Sequence, residues 1–355
     1  MRILITGAAG FVGQILAKEL LNDPNHTLIL TDITEPPIPR GSKHPQNAKS
    51  IKADLFEDSA SVVDKSLDAV YIFHGIMSSG AESNFELGMR VNVDATRHLL
   101  DSLRKTCPGV RVIYASSQAV YGLPLPTPVT EAILPLPSTS YGCQKIICEN
   151  LINDYTRRGF INGFSLRFPT ISVRPGTPTA AASSFISGII REPLNGEECI
   201  VPIKDRAWRH WMSSPKTLIY NLCVVLQLPR GSLPLHGRQV NVPGFAVTVQ
   251  DMMDALAEVG GKDKLQLLRE EDDELVKPIL YSWPDEFDNT LGLKLGMKQD
   301  KSFVQSVLDY KETLEESKRS VNGTSSLPLT NGSKVNGVNG VNGVVPVDGP
   351  KAIKV

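Results

Sequence analysis

Residues 2–16 read Arg-Ile-Leu-Ile-Thr-Gly-Ala-Ala-Gly-Phe-Val-Gly-Gln-Ile-Leu. Residues 2–6 are a short β-prone run. Gly7, Gly10 and Gly13 then mark a turn spaced G-x-x-G-x-x-G, and Ile15, Leu16, Leu20 and Leu21 follow at helical period. A strand, a glycine-rich turn and a helix start together make an anion site. Glycine lets the backbone come close to a pyrophosphate, and the helix N-terminus offers unpaired N–H groups. A tight turn without a ligand is the plainer reading. Its place directly after a first strand favours a dinucleotide held by Gly7, Gly10, Phe11, Val12 and Gly13.

A second strand, 27–31, ends at Asp32, about twenty residues beyond the glycines. A carboxylate there can accept from both ribose hydroxyls and would repel a 2′-phosphate. No arginine follows it directly; Arg40 lies beyond a proline cluster. The cofactor reading is therefore NAD, with NADP less favoured. The other use of Asp32 is to cap a turn.

Further strands are expected at 50–53, 68–73, 110–115 and 163–168, alternating with helical patterns. This predicts an α/β fold with a doubly wound parallel sheet. One long helix is expected from 82 to 106, with Asn92 inside it, where asparagine is mildly unfavourable. Ser116 and Ser117 end the fifth strand, the edge where open α/β sheets bind ligands. Residues 123–137 are too rich in proline for a helix or a central strand.

Tyr141 and Lys145 stand four residues apart at the start of the next helical run, on one face. A free phenol ionises near pH ~10, and an ammonium one turn away favours the phenolate. Lowering that pKa by about three units takes about 4 kcal/mol, so the lysine needs help, for example from a cationic nicotinamide ring. Isolated pairs of this kind are mostly surface residues; the context above gives this one a use.

The composition is that of a soluble enzyme. A net charge of −1 argues against nucleic acid or a charged membrane surface as the main partner. No apolar run reaches the roughly 18 residues of a membrane helix. No targeting pattern precedes the first strand, so a cytoplasmic location is expected. The five cysteines show neither C-x-x-C nor metal-ligand spacing, which predicts reduced thiols and no metal. From about Glu316 the chain turns to Ser, Asn, Gly and Val, with V-N-G repeats. Residues 316–355 are read as a disordered tail.

These motifs jointly resemble the extended short-chain dehydrogenase/reductases, which include sugar-nucleotide epimerases and dehydratases. The resemblance spans roughly residues 1–313. It rests on T-G-A-A-G-F-V-G at 6–13, Asp32, Asp54-Leu55, V-N-V-D-A-T-R-H-L-L at 91–100, Y-A-S-S-Q-A-V-Y-G at 114–122, Tyr141 with Lys145, and Arg174-Pro175-Gly176. It implies a Rossmann-type fold, with 1–171 mainly NAD-binding and 172–313 mainly a smaller substrate lobe.

The implied catalytic set is Ser117, Tyr141 and Lys145. Asp54 and Leu55 would meet the adenine. Gly75 would let the backbone lie close to the cofactor, and Asn92 would brace that region. Pro169 and Thr170 would meet the nicotinamide amide. Family members dimerise through two helices per subunit, here 82–106 and 140–158, which implies a homodimer.

The chain departs from the pattern at three places. Phe73-His74-Gly75-Ile76 replaces the usual H-L-A-A, and His74 reads as packed or hydrogen-bonded rather than catalytic. Ala115 replaces the first of three serines. Gln118-Ala119 stands where dehydratases carry Asp-Glu.

A closer similarity is to the branch that acts on D-erythronate. It rests on Ile76-Met77-Ser78-Ser79, residues 183–196 and residues 211–215. It implies hydride transfer between a secondary alcohol and a ketone on a small polyhydroxy acid. Ser78, Ser79, Ser117, Ser183 and Ser184 would supply hydroxyls, and Arg191 or Arg209 the cation for a carboxylate. Three other readings stay open. One is an epimerase; another is a tailoring ketoreductase whose apolar pocket is lined by Phe185, Trp208 and Trp211. The third, a dinucleotide sensor without chemistry, is disfavoured because Tyr141 and Lys145 are both present.

Overall fold

The computed structural model describes residues 1–177 and 182–323, with 317–323 given by their backbone alone. The opening motif forms β1 (Arg2–Thr6) and α1 (Phe11–Leu20). The strands β2 (Thr27–Asp32), β3 (Ala48–Lys52), β4 (Ala69–Ile72), β5 (Arg111–Ser117) and β6 (Asn162–Phe168) follow. Six further strands follow among the described residues: β7 (Thr170–Ile171), β8 (Cys199–Val201), β9 (Arg209–Ser213), β10 (Gln239–Asn241), β11 (Phe245–Thr248) and β12 (Leu268–Glu270). Seven strands make one sheet in the order β10-β6-β5-β4-β1-β2-β3, and every neighbouring pair is parallel. This is the doubly wound Rossmann-like arrangement. The order reverses between β1 and β4, so the crevice for a ligand opens at the carboxyl ends of those strands.

The sheet carries apolar residues on both faces because helices cover both. Ile3 and Ile5 of β1 pack with Leu16 and Leu20 of α1, while Leu4 between them faces the opposite layer with Val70 and Leu99. That alternation is the two-residue period of a strand. The remaining helices of the first half are α2 (Leu55–Asp58), α3 (Ser78–Ser83), α4 (Phe85–Gly88), α5 (Ala95–Thr106) and α6 (Ser140–Arg157).

The single helix expected over 82–106 is therefore broken. The Asn84 side chain accepts the Leu87 N–H at 3.0 Å and starts α4 afresh. Residues Met89–Asp94 then form a π-helical turn before α5. Asparagine competes with helical hydrogen bonding in this way, and single π turns recur at functional positions.

Part of residues 172–313 rejoins the sheet. Helices α7 (Phe185–Asn195), α8 (Pro215–Gln227) and α9 (Val249–Gly260) follow one another. Leu218, Leu222 and Val225 of α8 enter the same apolar cluster as α1, and β10 pairs with β6. The smaller sheets, β11-β9-β7 and β12-β8, come from the rest of this half. Residues 1–313 form one compact unit.

The last helix, Phe303–Gly323, runs beyond Glu316, where the tail was expected to begin. Lys318 and Arg319 are good helix formers, and the Asn-Gly composition starts only at Asn322. The V-N-G repeats lie outside the described residues. Among the described residues, no helix is long and apolar enough to cross a membrane.

Candidate active site at the carboxyl edge of the sheet

Helix α6 begins with Thr139, whose Oγ1 accepts the Gly142 N–H at 3.1 Å. Tyr141 and Lys145 follow one turn apart and are 9% and 5% exposed. Lys145 Nζ donates to the Ala115 carbonyl of β5 at 2.7 Å and lies 5.4 Å from the Tyr141 ring centroid. A Cβ on Gly142 would stand 2.2 Å from the Ala119 carbonyl oxygen. The glycine thus lets the start of α6 press against the 3-10 turn Gln118–Val120, which follows Ser117 directly. Ser117 Oγ accepts the Ala119 N–H at 3.1 Å, leaving its own proton for another acceptor. In this way the fold brings Ser117, Tyr141 and Lys145 to the end of β5.

The dinucleotide residues gather along the same edge. Gly10 is the N-cap of α1; no side chain caps it, and the first turn carries no acid. The positive end of the helix and its N–H groups are therefore unopposed, which suits a pyrophosphate. Phe11 and Val12 pack partly against the apolar cluster beneath. Asp32, at the end of β2, accepts the Ala9 N–H at 3.0 Å and the Ile33 N–H at 2.7 Å. Its carboxylate both caps the turn and adjoins the glycines.

After β4 the backbone is held by Asn92 in the π turn. Asn92 Oδ1 accepts the Ile76 N–H at 2.7 Å, and Nδ2 donates to the Ile76 carbonyl at 3.1 Å and to Gln144 Oε1 at 2.6 Å. A Cβ on Gly75 would come within 2.9 Å of Asn92 Oδ1 and 4.0 Å of Lys145 Nζ, so a bare backbone is needed there. Pro169 and Thr170 lie where β6 gives way to β7. Leu55 is buried, while Asp54 caps α2 through the Phe56 N–H and meets Arg90 at 3.1 Å. These residues fit a dinucleotide lying across the strand ends.

His74 has partners on both ring nitrogens, Thr6 Oγ1 at 2.8 Å and Thr96 Oγ1 at 3.2 Å. Thr96 spends its own proton on the Asn92 carbonyl, so it accepts from His74 Nε2–H. Burial and the nearby Lys145 ammonium push the His74 pKa down to about 3, and the neutral ring ties β1, β4 and α5 together.

The substrate candidates divide. Ser78 and Ser79 open α3 and are exposed. Glu82 of α3 accepts the Ser140 N–H at 3.0 Å, which sets α3 beside the start of the tyrosine helix. Arg191 is not a free cation. It is buried, with Nη2 at 2.6 Å from Glu192 Oε1 and Nη1 on the Arg174 carbonyl. A buried guanidinium needs such a partner, and this one is already neutralised. Arg209 is paired with Asp285 and Glu286. Trp211 packs with Tyr121, Val129 and Phe287, whereas Trp208 lines a cleft of about 390 Å³ together with Leu123, Leu125 and Pro126. Ser117, Tyr141 and Lys145 do not line that cleft.

Two groups escape a reading of the sequence. Glu149 of α6 is buried and forms a double hydrogen bond with Arg167 of β6, Nε at 2.9 Å and Nη2 at 2.6 Å. It also accepts from Ser116 Oγ at 2.5 Å, and Arg167 donates to the Tyr121 hydroxyl at 2.6 Å. The spacing Tyr141, Lys145, Glu149 along one helix face was the available signal. The second group joins Gln118, Thr170 and His210. His210 Nε2 lies 2.6 Å from Thr170 Oγ1, and Gln118 Nε2 donates to the same oxygen at 3.4 Å. Nothing local marks His210, which comes from β9.

Residues 3–217 match the NAD dependent epimerase/dehydratase family. The chain belongs to that family. It is an oxidoreductase of the short-chain dehydrogenase/reductase type. The D-erythronate dehydrogenase of Haemophilus influenzae is 41% identical over 87% of this chain and 99% of its own length. That of Cupriavidus necator is 38% identical over 88% and 98%. A crystal structure of a nucleoside-diphosphate-sugar epimerase from Agrobacterium tumefaciens superposes with a TM-score of 0.81 at 35% identity, covering 86% of this chain and 92% of that one. An L-threonine dehydrogenase from Cupriavidus necator, 23% identical over 88% of this chain and all of its own, shares the fold with a TM-score of 0.75.

Proposed function

We propose that this protein oxidises D-erythronate, or a closely similar open-chain polyhydroxy acid, to a ketone with NAD. The observation that carries the chemistry is the Gly142 contact, which holds Tyr141 and Lys145 against the turn after Ser117. The similarity to two D-erythronate dehydrogenases over nearly their whole length supports the substrate. Bound NAD supplies the hydride acceptor. The protein moves the proton: Tyr141 Oη takes it from the substrate hydroxyl in oxidation and returns it in reduction. Ser117 Oγ–H donates to the reacting oxygen and orients it. The Lys145 ammonium, one turn from Tyr141, adds positive charge where negative charge develops. Gly7, Gly10, Gly13 and the α1 N-terminus would hold the pyrophosphate. Asp32 would hold the adenosine ribose and so favour NAD over NADP. Residues 1–171 would chiefly bind cofactor, and much of 172–313 the substrate. The working form is read as a cytoplasmic homodimer.

A second reading is a ketoreductase of bulkier apolar alcohols; the cleft lined by Trp208, Leu123, Leu125 and Pro126 lends it little, because Asp205, Arg209, Asp285 and Glu286 line it too while Ser117, Tyr141 and Lys145 do not. The two are separated by kcat/KM on D-erythronate and on a bulky cyclic secondary alcohol, followed through NADH absorbance. Stoichiometric NADH from D-erythronate is expected. A clear preference for the bulky alcohol would overturn the sugar-acid assignment and leave the Tyr141 mechanism standing.

A further inference from the structure

Gln144 stands between Tyr141 and Lys145 in α6, and the proton transfer does not use it. It is 1% exposed, and its amide reaches across to Asn92 in the π turn. Gln144 Oε1 accepts from Asn92 Nδ2 at 2.6 Å, whereas Gln144 Nε2 is buried without a hydrogen-bond partner. Turning the amide over would not help. Asn92 Oδ1 is taken by the Ile76 N–H, so Asn92 presents an N–H to Gln144 and needs an oxygen there. A buried N–H left unpaired costs stability, and a methionine would fill the same space without one. A Cβ on Gly88 would stand 2.6 Å from Gln144 Nε2, so a bare backbone in α4 makes room for this amide. What the glutamine contributes in return is its oxygen.

That oxygen completes the hold on Asn92. The Asn92 carbonyl accepts from Thr96 Oγ1 at 2.8 Å and from Cys148 Sγ at 3.2 Å. Cys148 lies one turn beyond Gln144, so α6 grips Asn92 at both its main chain and its side chain. The Asn92 amide has three partners: the Ile76 N–H, the Ile76 carbonyl and Gln144. Without the third, one buried N–H has no acceptor, and the pair on Ile76 is no longer held from behind. The Ile76 peptide follows Gly75, where a Cβ would stand 4.0 Å from Lys145 Nζ. The Gly75 backbone and the Lys145 ammonium thus share one corner of the site. We propose that Gln144 is a positioning residue for the cofactor: acting through Asn92, it fixes the Gly75–Ile76 backbone relative to the Lys145 ammonium, so that NAD meets a rigid corner. This rests on the reading of Gly75 and Lys145 as part of the NAD site, and adds the residue that sets their separation.

Gln144→Met keeps the volume and removes the acceptor. NADH affinity, read by fluorescence titration, should fall by about tenfold, the worth of one hydrogen bond. The KM for NAD should rise with it, and kcat should fall by less. The urea midpoint should stay close to wild type, because the variant removes one orphan N–H at Gln144 and leaves one at Asn92. A merely structural residue would shift the midpoint and leave the NADH titration alone. Asn92→Ala should itself weaken NADH binding, and adding Gln144→Met to it should have no further effect, since the two act in series. Unchanged NADH affinity in Gln144→Met overturns the inference, as does a full second loss in the Asn92→Ala background. Wild-type protein that binds no NADH overturns the cofactor reading itself, and the inference with it.

Discussion

Replacing Arg167 by Met should unfold the protein far more easily than its distance from the chemistry suggests. Arg167 and Glu149 are 3% and 1% exposed at their side chains. In the wild type, Glu149 accepts three hydrogen bonds, two of them from Arg167 and one from Ser116. Methionine fills similar space without a charge and leaves the carboxylate buried with the Ser116 hydroxyl alone. Breaking a buried pair from one side costs about 3–5 kcal/mol. That is a large share of a total stability of about 5–15 kcal/mol. Tyr121 loses one donor but still donates to Asn241 Oδ1 at 3.0 Å, so the cost centres on Glu149. Adding Glu149→Gln removes the stranded charge and should recover about 2 kcal/mol or more of the loss. Urea unfolding of the two single variants and the double variant measures each term. A single Arg167→Met variant within about 1 kcal/mol of wild type would refute the reasoning, because the buried carboxylate would then have found other solvation. Since Ser116 adjoins Ser117, the single variant should also lose turnover.

Tyr141→Phe keeps the ring and removes the proton carrier; turnover should fall by roughly 10²–10⁴-fold, with NADH affinity by fluorescence titration nearly unchanged. Near-normal turnover would remove the basis of the mechanism. Gly142→Ala places a Cβ 2.2 Å from a backbone oxygen and must push α6 from the Ser117 turn. Its kcat should drop by about 10²-fold, the scale of an ångström of misplacement, and an unaltered kcat would show that the contact is slack. Asp32→Ala should narrow the gap between NADH and NADPH affinities; an unchanged ratio would assign the preference elsewhere. For pH, the unfolded chain protonates His210 below about 6.5, whereas the folded ring waits until about 3. Stability should therefore be held above pH 6.5 and fall as pH drops from there toward 3, by about 1.4 kcal/mol per unit from this residue. His74 adds in the same direction. Urea midpoints of wild type and His210→Phe between those limits should diverge in slope, and parallel slopes would contradict a neutral buried ring.

The parallel sheet, the glycine turn, Asp32 at the end of β2 and the Tyr141–Lys145 face were all legible in the sequence. Each depends on residues a few positions apart, where strand and helix periods convert spacing directly into geometry. The break at Asn84 was partly legible, since asparagine is a known helix competitor, but the strength of the surrounding pattern hid it. Charge compensation was not legible. Neighbours at i and i+1 on a helix do not normally face each other, yet Arg191 turns to Glu192 because both are buried and neither can reach water. The return of α8 and β10 to the main sheet, the Glu149–Arg167 bridge and the Gln118–Thr170–His210 cluster join segments far apart along the chain. Whether a polar group there is satisfied depends on which remote partner the packed core brings to it, and local periodicity carries no trace of that partner.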